Sequence, residues 1–349
     1  MKTTAVSTQA IANATRLSLV KLQSELARGS QELSSGRHAD VGLAIGARTG
    51  RSVELRGDLS RIATMLDTNG LVASRLDTVQ AALTSARGTA EEFFGMLIAL
   101  RDNPNALEIA GQQAEVNLRG LIGTLNSNLA GQYLFAGINT DEPPLANYFG
   151  TPSPARDAVR NSFETHFGFP PNDPAAAALS RADIDDFVAT TFGALFDDPS
   201  WGTLFSQASD QTIVSRISTN ETISSSVSAN ERGVRDLFMA YTLLADIGQG
   251  SALTGGAMQA VLERALDGVG SAIPQFTTIQ ARLGVVQNRV ADASERMAIQ
   301  RDILTKQVTG LENVDPFETA TRVNALMSQI EISYSVTARV RSLSLIRYL

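Results

Sequence analysis

The chain contains no cysteine, which excludes disulfides, thiolate zinc sites and cysteine nucleophiles together. Aromatic residues make up only 6% of its 349 residues and hydrophobic residues 43%, so the predicted core is aliphatic. Its two histidines, His38 and His166, lie far apart in the sequence. A histidine-rich metal site or a Ser–His–Asp triad is therefore not expected, and no catalytic, metal or cofactor-binding residue is assigned.

Positive charge and long apolar runs are also scarce. The formal net charge is −7 and the pI about 5.0, which argues against nucleic acid as a partner. No stretch approaches the roughly 18 apolar residues of a membrane span. Charged residues interrupt every apolar piece of residues 1–30, so no cleaved secretory signal is predicted. The chain is expected to be cytosolic, or exported by a route that leaves its N-terminus uncut.

Both ends of the chain carry heptad patterns. A helix is predicted over residues 8–35, and Gly36 follows as a plausible stop. The seam of this helix consists of Leu19, Leu22, Leu26, Gly29 and Leu33. A last helix is predicted from Phe317 to the end, with one face made of Ala320, Val323, Met327, Ile330, Tyr334 and Thr337. A second stripe, Leu326, Val336, Val340, Leu343 and Ile346, makes it apolar on more than one side, which indicates more than one neighbouring helix.

Two longer helices are predicted inside this terminal pair. The first has a seam of Leu55, Leu59, Ile62, Leu66, Asn69, Ala73, Leu76, Gln80 and Leu83, and ends near Pro104. A shorter helix is predicted over 106–130 and another around 232–246. A glycine-rich break at 248–256 precedes the second long helix, whose seam includes Leu283, Val286, Val290, Ala293, Met297, Gln300, Leu304 and Leu311.

The middle of the chain differs from both ends. Residues 141–212 hold eleven acidic and three basic residues, a balance of −8, and most of the prolines and phenylalanines. A segment with its own charge, turns and aromatic residues is typical of an inserted small domain. A β-hairpin is predicted just after it, from Ile213–Ile217 and Thr222–Val227.

These patterns predict a mainly α fold: a long antiparallel coiled-coil rod formed by the N- and C-terminal parts, with a β-hairpin and a small inserted outer domain. Residues 1–40 and 310–349 are predicted to form a terminal coiled-coil assembly region. Residues 41–140 and 213–309 are assigned to the helical rod, and 141–212 to the inserted domain.

The sequence contains little that indicates an enzyme. Gly250 and Gly255 have the glycine spacing of a P-loop, but the required Lys and Ser/Thr are replaced by Gly256 and Ala257. The acidic group at 183–186 lacks the spacing and turn glycine of a calcium loop, and fits a helix start better. The chain is predicted not to be an enzyme; an enzyme, a nucleotide-binding protein or an unrelated coiled coil remains a distant alternative.

The two ends of the chain resemble the bacterial flagellin/hook-associated protein family. Gln31-Glu-Leu-Ser-Ser-Gly-Arg37 is similar to the N-terminal ELSSG element of that family, and Asp315–Leu349 to its C-terminal helix. Gly131-Gln-Tyr-Leu-Phe-Ala-Gly-Ile-Asn-Thr140 with Pro143-Pro144, and Ser228–Gly233 followed by Leu237–Ala240, resemble the hook-associated branch that joins hook to filament rather than flagellin. His38–Gly42 looks like the form found in alpha-proteobacterial members.

This resemblance implies a structural role and a set of partners. The expected product is a homo-oligomeric ring, with another hook-associated protein on the hook side and flagellin on the filament side. The expected location is extracellular, on the flagellum, after type III export assisted by an export chaperone. Flagellin itself is the nearest alternative. The residues expected to form the assembly interface are Leu19, Leu22, Leu26, Leu33, Val323, Met327, Ile330 and Tyr334.

Overall fold

A computed structural model describes the backbone of residues 8–346 and the side chains of residue 10 and residues 13–339. Four long helices dominate these residues: α1 (Thr8–Ser35), α3 (Thr49–Ala99), α9 (Gly255–Glu312) and α10 (Pro316–Ile346). The short helix α2 (Val41–Ile45) lies between α1 and α3, and α4 (Ala106–Leu125) follows α3. The predicted mainly α fold with long helices is confirmed. None of the described helices combines the length and the apolarity needed to span a membrane.

Local signals in the sequence set the ends of these helices. Gly36 follows α1 with φ +69°, and its N–H donates to the Glu32 carbonyl (2.9 Å), which ends the helix as predicted. Asp315 precedes α10, and its carboxylate accepts from the N–H of Phe317 (2.8 Å). Pro316 takes the first position of that helix, where its missing N–H costs nothing. Pro316 therefore separates α9 from α10 by starting a new helix.

The described chain divides into two compact units. One unit comprises residues 1–64 and 297–349, and the other comprises residues 65–296. In the second unit α3 and α9 run antiparallel, as two hydrogen bonds between them show. Asn69 Nδ2 donates to Ser294 Oγ (3.0 Å), and Gln287 Nε2 donates to Asp77 Oδ1 (2.7 Å). Both helices follow the predicted seams there: Leu76, Leu83, Leu283, Val290 and Ala293 are buried. Asn69 is also buried, and its Nδ2 donates to the Ile217 carbonyl (3.0 Å).

The segment 141–212 is mostly helical. It contains α5 (Pro154–Phe167), α6 (Arg181–Phe187) and α7 (Ser200–Leu204), with short 3-10 and π turns between them. Phe163, Phe187, Phe192 and Trp201 are fully buried here, and they add to the buried aromatic residues that other segments supply, such as Phe238. Ser180 and Asp183 form a capping box at the start of α6, which agrees with reading that acidic group as a helix start.

Two antiparallel hairpins flank this segment. β3 (Val214–Ser218) pairs with β4 (Glu221–Ser224), as predicted, and β1 (Asn128–Leu129) pairs with β2 (Gln132–Tyr133). The smaller hairpin corrects the predicted helix over 106–130, because α4 ends at Leu125 and the chain turns at Ala130 and Gly131 with positive φ. After β4, α8 (Arg232–Thr242) is followed by a π-helical turn, Leu243–Gly248. The predicted helix over 232–246 therefore changes its hydrogen-bond pattern after Thr242.

Candidate assembly surface

The terminal helices α1 and α10 pack against each other as an antiparallel pair. Gln23 Nε2 donates to the Tyr334 hydroxyl (2.9 Å), and the guanidinium of Arg322 pairs with Glu32. Gly29 is buried between them, and a Cβ at this position would lie 2.9 Å from Val323 Cγ2. The absence of a side chain at Gly29 therefore allows the two helices to approach closely.

A heptad stripe on α10 forms its face toward α1. Thr319, Val323, Leu326 and Ile330 are buried, and Ser333 and Thr337 are half-buried. Their spacing of 4, 3, 4, 3 and 4 is that of a coiled-coil seam. On α1 the corresponding residues are Leu19, Leu22 and Leu26, which are half-buried, and Gly29. This stripe is narrow, so most of the surface of each helix stays uncovered.

The eight residues expected to form an interface fall into two groups. Val323 and Ile330 are buried, and Leu19, Leu22 and Leu26 are half-buried, all in the contact between α1 and α10. Leu33, Met327 and Tyr334 are exposed by 43%, 43% and 52%. The face of α10 toward α1 shares Val323 and Ile330 with the predicted stripe, but Leu326 is buried there and Met327 is exposed. Whether any of the eight contacts another subunit stays a prediction.

Large apolar side chains on α1 and α10 are exposed. We define the terminal apolar surface as Leu17, Val20, Met327, Ile332, Tyr334 and Val336, all of which are exposed. Ile332 and Leu17, at 61% and 71% exposed, have most of their surface in solvent. Of the predicted second stripe, Leu326 is buried and Val336 is exposed. The side chains of the other three members, Val340, Leu343 and Ile346, lie outside the described residues. At about 100° per residue, Met327 and Tyr334 lie on one side of α10 and Ile332 and Val336 on the other, so the terminal apolar surface covers more than one face of the helix. Several large exposed apolar side chains on one helix pair are typical of helices that bind another protein.

A buried carboxylate fixes the end of the helix pair. The Glu312 side chain is fully buried and accepts hydrogen bonds from the Ser52 hydroxyl and from the guanidinium groups of Arg37 and Arg56, with Arg56 Nε at 2.7 Å. The Val314 N–H donates to the Gly36 carbonyl (3.1 Å) beside this cluster. The turn after α1 is thereby bonded to the turn between α9 and α10, within the first unit.

These donors keep Glu312 ionised over a wide pH range. The hydrogen bond from Arg56 is the largest cause, and with Ser52 and Arg37 it lowers the pKa of Glu312 from 4.5 to about 2, although burial opposes the change. The same hydrogen bond raises the pKa of Arg56. At neutral pH the cluster therefore carries the negative charge of Glu312 and the positive charges of Arg37 and Arg56. Of these three groups only the Glu312 carboxylate is buried, and both of its oxygens accept hydrogen bonds.

Sequence reasoning missed this cluster. Glu312 looks like any solvated glutamate in the sequence; its single signal is its position four residues after Val308, on the buried face of α9. Nothing in the pattern around Ser52 or Arg56 indicates that their side chains reach Glu312. The contact depends on the chain reversal between α9 and α10, which a periodicity argument along one helix does not describe.

Comparisons with protein families match both ends of the chain. The profile described as the bacterial flagellin N-terminal helical region matches residues 6–140, and that of the bacterial flagellin C-terminal helical region matches residues 266–349. Together these ranges cover more than half of the chain. No curated protein sequence matches it.

The chain was also matched to solved structures, two of which follow. A putative flagellar hook-associated protein from Vibrio parahaemolyticus superposes with a TM-score of 0.51 at 10% identity, over 76% of this chain and 97% of that one. FlgL of Bacillus cereus gives a TM-score of 0.38 at 11% identity, over 75% and 97%. The first of these likenesses concerns the fold alone.

Proposed function

The chain belongs to the bacterial flagellin/hook-associated protein family and is a structural protein of the flagellum, and from this premise we propose that it forms the junction between hook and filament. The family assignment rests on the matched regions at both ends. The finer proposal rests on a pair of internal elements that resemble the hook-associated branch. Flagellin, the filament subunit, is the competing member of the same family.

One observation carries the finer proposal: the two internal elements that resemble junction proteins lie together in the fold. Ala136 pairs with Ser228 in an antiparallel bridge, and the Ala229 N–H donates to the Phe135 carbonyl (2.8 Å). Leu134, Phe135, Ala136 and Ala229 are fully buried. The elements at 131–140 and 228–233 therefore form one packed motif at the base of the inserted segment.

The local backbone geometry requires a glycine at position 137, in the first of these two elements. Gly137 has φ +63°, and a Cβ there would lie 2.3 Å from the Ser209 carbonyl oxygen. The N–H of Ser209 donates to the carbonyl of the preceding Ala136 (3.0 Å). Only glycine satisfies both the backbone conformation and this approach. The segment that resembles junction proteins therefore includes a position at which the structure accepts only glycine.

The terminal apolar surface supports assembly as the purpose of the helix pair. On this proposal residues 1–40 and 310–349 form the assembly region, 41–140 and 213–309 the rod, and 141–212 the outer domain. Copies of the chain form a ring, which contacts another hook-associated protein on one side and flagellin on the other. Burial of the terminal apolar surface between copies stabilises the ring.

Export follows from the same proposal. The subunit leaves the cell through the flagellar type III apparatus without cleavage of a signal, and a cytosolic chaperone covers the C-terminal helix before export. An isolated amphipathic helix is marginally stable in water, so α10 is suited to exchange a chaperone for a neighbouring subunit.

Polymerisation of the purified chain tests the junction against the flagellin alternative. A junction subunit is expected not to form long filaments by itself. The comparison uses the concentrations and seeds at which the flagellin of the same bacterium polymerises. An epitope tag placed in the segment 141–212 should then be found only at the hook tip by immunogold electron microscopy. Long filaments of the purified chain, or label along the whole filament, would assign it as flagellin.

A further inference from the structure

A small cavity opens between helices α3, α4 and α8 of the second unit. Its volume is about 230 Å³. The residues that line it include Thr89, Gly120, Leu121, Thr124, Leu237 and Tyr241. A cavity of about 150 Å³ accommodates a benzene-sized molecule in a protein core, so this one has room for a small organic group.

Tyr241 brings an unpaired donor to this cavity. Its side chain is 1% exposed, and within the described part of the chain its hydroxyl has no hydrogen-bond partner. The Asn117 side chain lies near this hydroxyl, but the two groups do not reach hydrogen-bonding geometry, and the Asn117 Oδ1 already accepts from Gln113 Nε2 (2.8 Å). A buried hydroxyl without a partner destabilises the folded chain, because it has lost its hydration without gaining a hydrogen bond.

The cavity selects for a neutral ligand. None of the described residues that line it is charged. The nearest charged side chains along α3 and α4 pair with one another, Arg87 with Glu91 (2.8 Å) and Arg119 with Glu115 (2.6 Å). Burial raises the pKa of Tyr241, so the hydroxyl keeps its proton and can donate. A charged group would lose its hydration here without an opposite charge to compensate.

Its walls are amphipathic. Ala86, Leu121 and Leu237 form an apolar base, whereas Ser85, Thr89 and Thr124 bring hydroxyl groups toward the opening. Thr89 and Thr124 are half-buried whereas Tyr241 is fully buried, so the two threonines lie nearer to solvent than the tyrosine. A water molecule alone would satisfy the hydroxyl but would leave the apolar base without contacts.

We propose that the Tyr241 cavity binds a neutral group that accepts a hydrogen bond and is carried on a short apolar stem, such as an amide or an alcohol. The Tyr241 hydroxyl donates to the acceptor, and the stem packs on Leu121 and Leu237. This chemistry has two sources: a free small molecule, or the side chain of a second copy of the chain. The proposal does not depend on whether the chain forms a junction or a filament.

The test follows the Tyr241 signal by NMR in the full chain labelled with ¹³C at tyrosine Cζ, with the Tyr241→Phe variant assigning the signal. N-Methylacetamide and benzyl alcohol are the probes. We expect at least one probe to shift the Tyr241 signal saturably and to leave the other tyrosine signals in place. In thermal titrations the same probe should bind Tyr241→Phe roughly threefold to tenfold more weakly, the loss of about one hydrogen bond.

A pair of glycine variants provides the matched control. A Cβ at Gly120 or at Gly123 meets nothing within 4 Å, and both residues lie on α4, but only Gly120 lines the cavity. Gly120→Leu should abolish the shift, whereas Gly123→Leu should retain it. A shift that survives in Gly120→Leu would overturn the proposal.

A second arm distinguishes the two sources. Without a probe, the full chain is concentrated until it self-associates. If the Tyr241 signal then shifts, and the shift is lost in Gly120→Leu, a side chain of a second copy fills the cavity. If only the probes shift the signal, the natural occupant is a free molecule. If the Tyr241 signal shifts neither with the probes nor on self-association, the cavity binds no ligand of this kind and the proposal is contradicted.

Discussion

At the scale of single residues, Glu312 concentrates the electrostatics of the first unit. Its pKa is lowered to about 2 in the folded chain, against 4.5 as its ordinary value. A carboxyl group with a lowered folded pKa adds stability that is fully present above its unfolded pKa and is lost as the pH falls through the folded one. The contribution of Glu312 should therefore disappear between about pH 4.5 and pH 2.

Glu312→Gln tests this contribution. At pH 7 the variant should lose roughly 1–3 kcal/mol of unfolding free energy, toward the lower end because the side chains it leaves unpaired, Arg37 and Arg56, are 45% and 48% exposed and regain water. The difference in Tm from the parent chain, measured by circular dichroism, should shrink as the pH approaches 2. A difference that stays constant with pH would contradict the assignment of the charged cluster.

Gly29 sets the separation of α1 and α10 at their crossing. Gly29→Ala places a Cβ 2.9 Å from Val323 Cγ2, so we expect a net loss of stability even though alanine favours the helix. Overpacking costs roughly 1–3 kcal/mol, and the helix gains about 0.5–1 kcal/mol. The matched control is Gly57→Ala on α3, where a Cβ meets nothing within 4 Å and should stabilise. Equal stabilisation by both variants, in denaturant unfolding, would refute the close contact.

Residues also show what sequence patterns can and cannot predict. Leu22, Leu26, Val323 and Ile330, which heptad spacing assigned to a seam on each terminal helix, are buried or half-buried in the contact between α1 and α10. The spacing did not distinguish Met327 from Leu326, because these adjacent residues fit two seams that share Val323 and Ile330 and differ by about 50° of helix rotation, half of the roughly 100° between neighbouring residues. That choice depends on Thr319, a polar residue that a hydrophobic pattern leaves out.

At the scale of elements, the π-helical turn Leu243–Gly248 ties the segment 141–212 to its base. It positions Asp246, whose fully buried carboxylate accepts from Arg156 Nε and Arg160 Nε, each at 2.9 Å, and from the Tyr148 hydroxyl at 2.7 Å. Burial, first, and the Asp246 charge raise the pKa of Tyr148. The excess of acidic residues in 141–212 predicted a separate segment. It did not predict that two of the three arginines in this segment, Arg156 and Arg160, bind the carboxylate of Asp246 outside it.

Asp246→Asn should loosen this segment. We expect faster proteolysis and hydrogen exchange within residues 148–167, with a loss of roughly 1–3 kcal/mol of local stability, because three donors lose a charged acceptor. Helical content elsewhere should be unchanged. Asp292→Asn, on the exposed side of α9, is the control and should leave both measurements as in the parent chain. Equal protection in the two variants would argue against the anchoring role.

The terminal apolar surface makes an element-scale prediction for assembly. Ile332→Glu places a charge where the proposal buries an apolar side chain, so assembly onto hooks should fall by roughly tenfold or more. Ser328→Glu, exposed on the same helix, adds the same charge as a control and should have a smaller effect. Both monomers should keep the circular dichroism of the parent chain. Unfolding of the Ile332→Glu monomer would mean that Ile332 stabilises the chain itself.

At the scale of the whole molecule, the long helices followed from heptad periodicity, the hairpin after 212 from β-branched alternation, and the family from motifs at both ends. The internal fold of 141–212 did not follow, because its short helices are set by capping residues such as Ser153 and Ser180 and by aromatic packing among distant phenylalanines. Such contacts have no periodic signature. Assembly partners are equally hidden, since an exposed apolar side chain indicates burial without identifying the neighbour.

Deletion of the gene tests the central claim most directly, with electron microscopy of the cells and a blot for flagellin in the culture medium. The junction account predicts hooks that carry no filament, flagellin lost to the medium, and recovery of filaments when the parent gene is returned. Normal or merely altered filaments would contradict it and would assign the chain as a second flagellin.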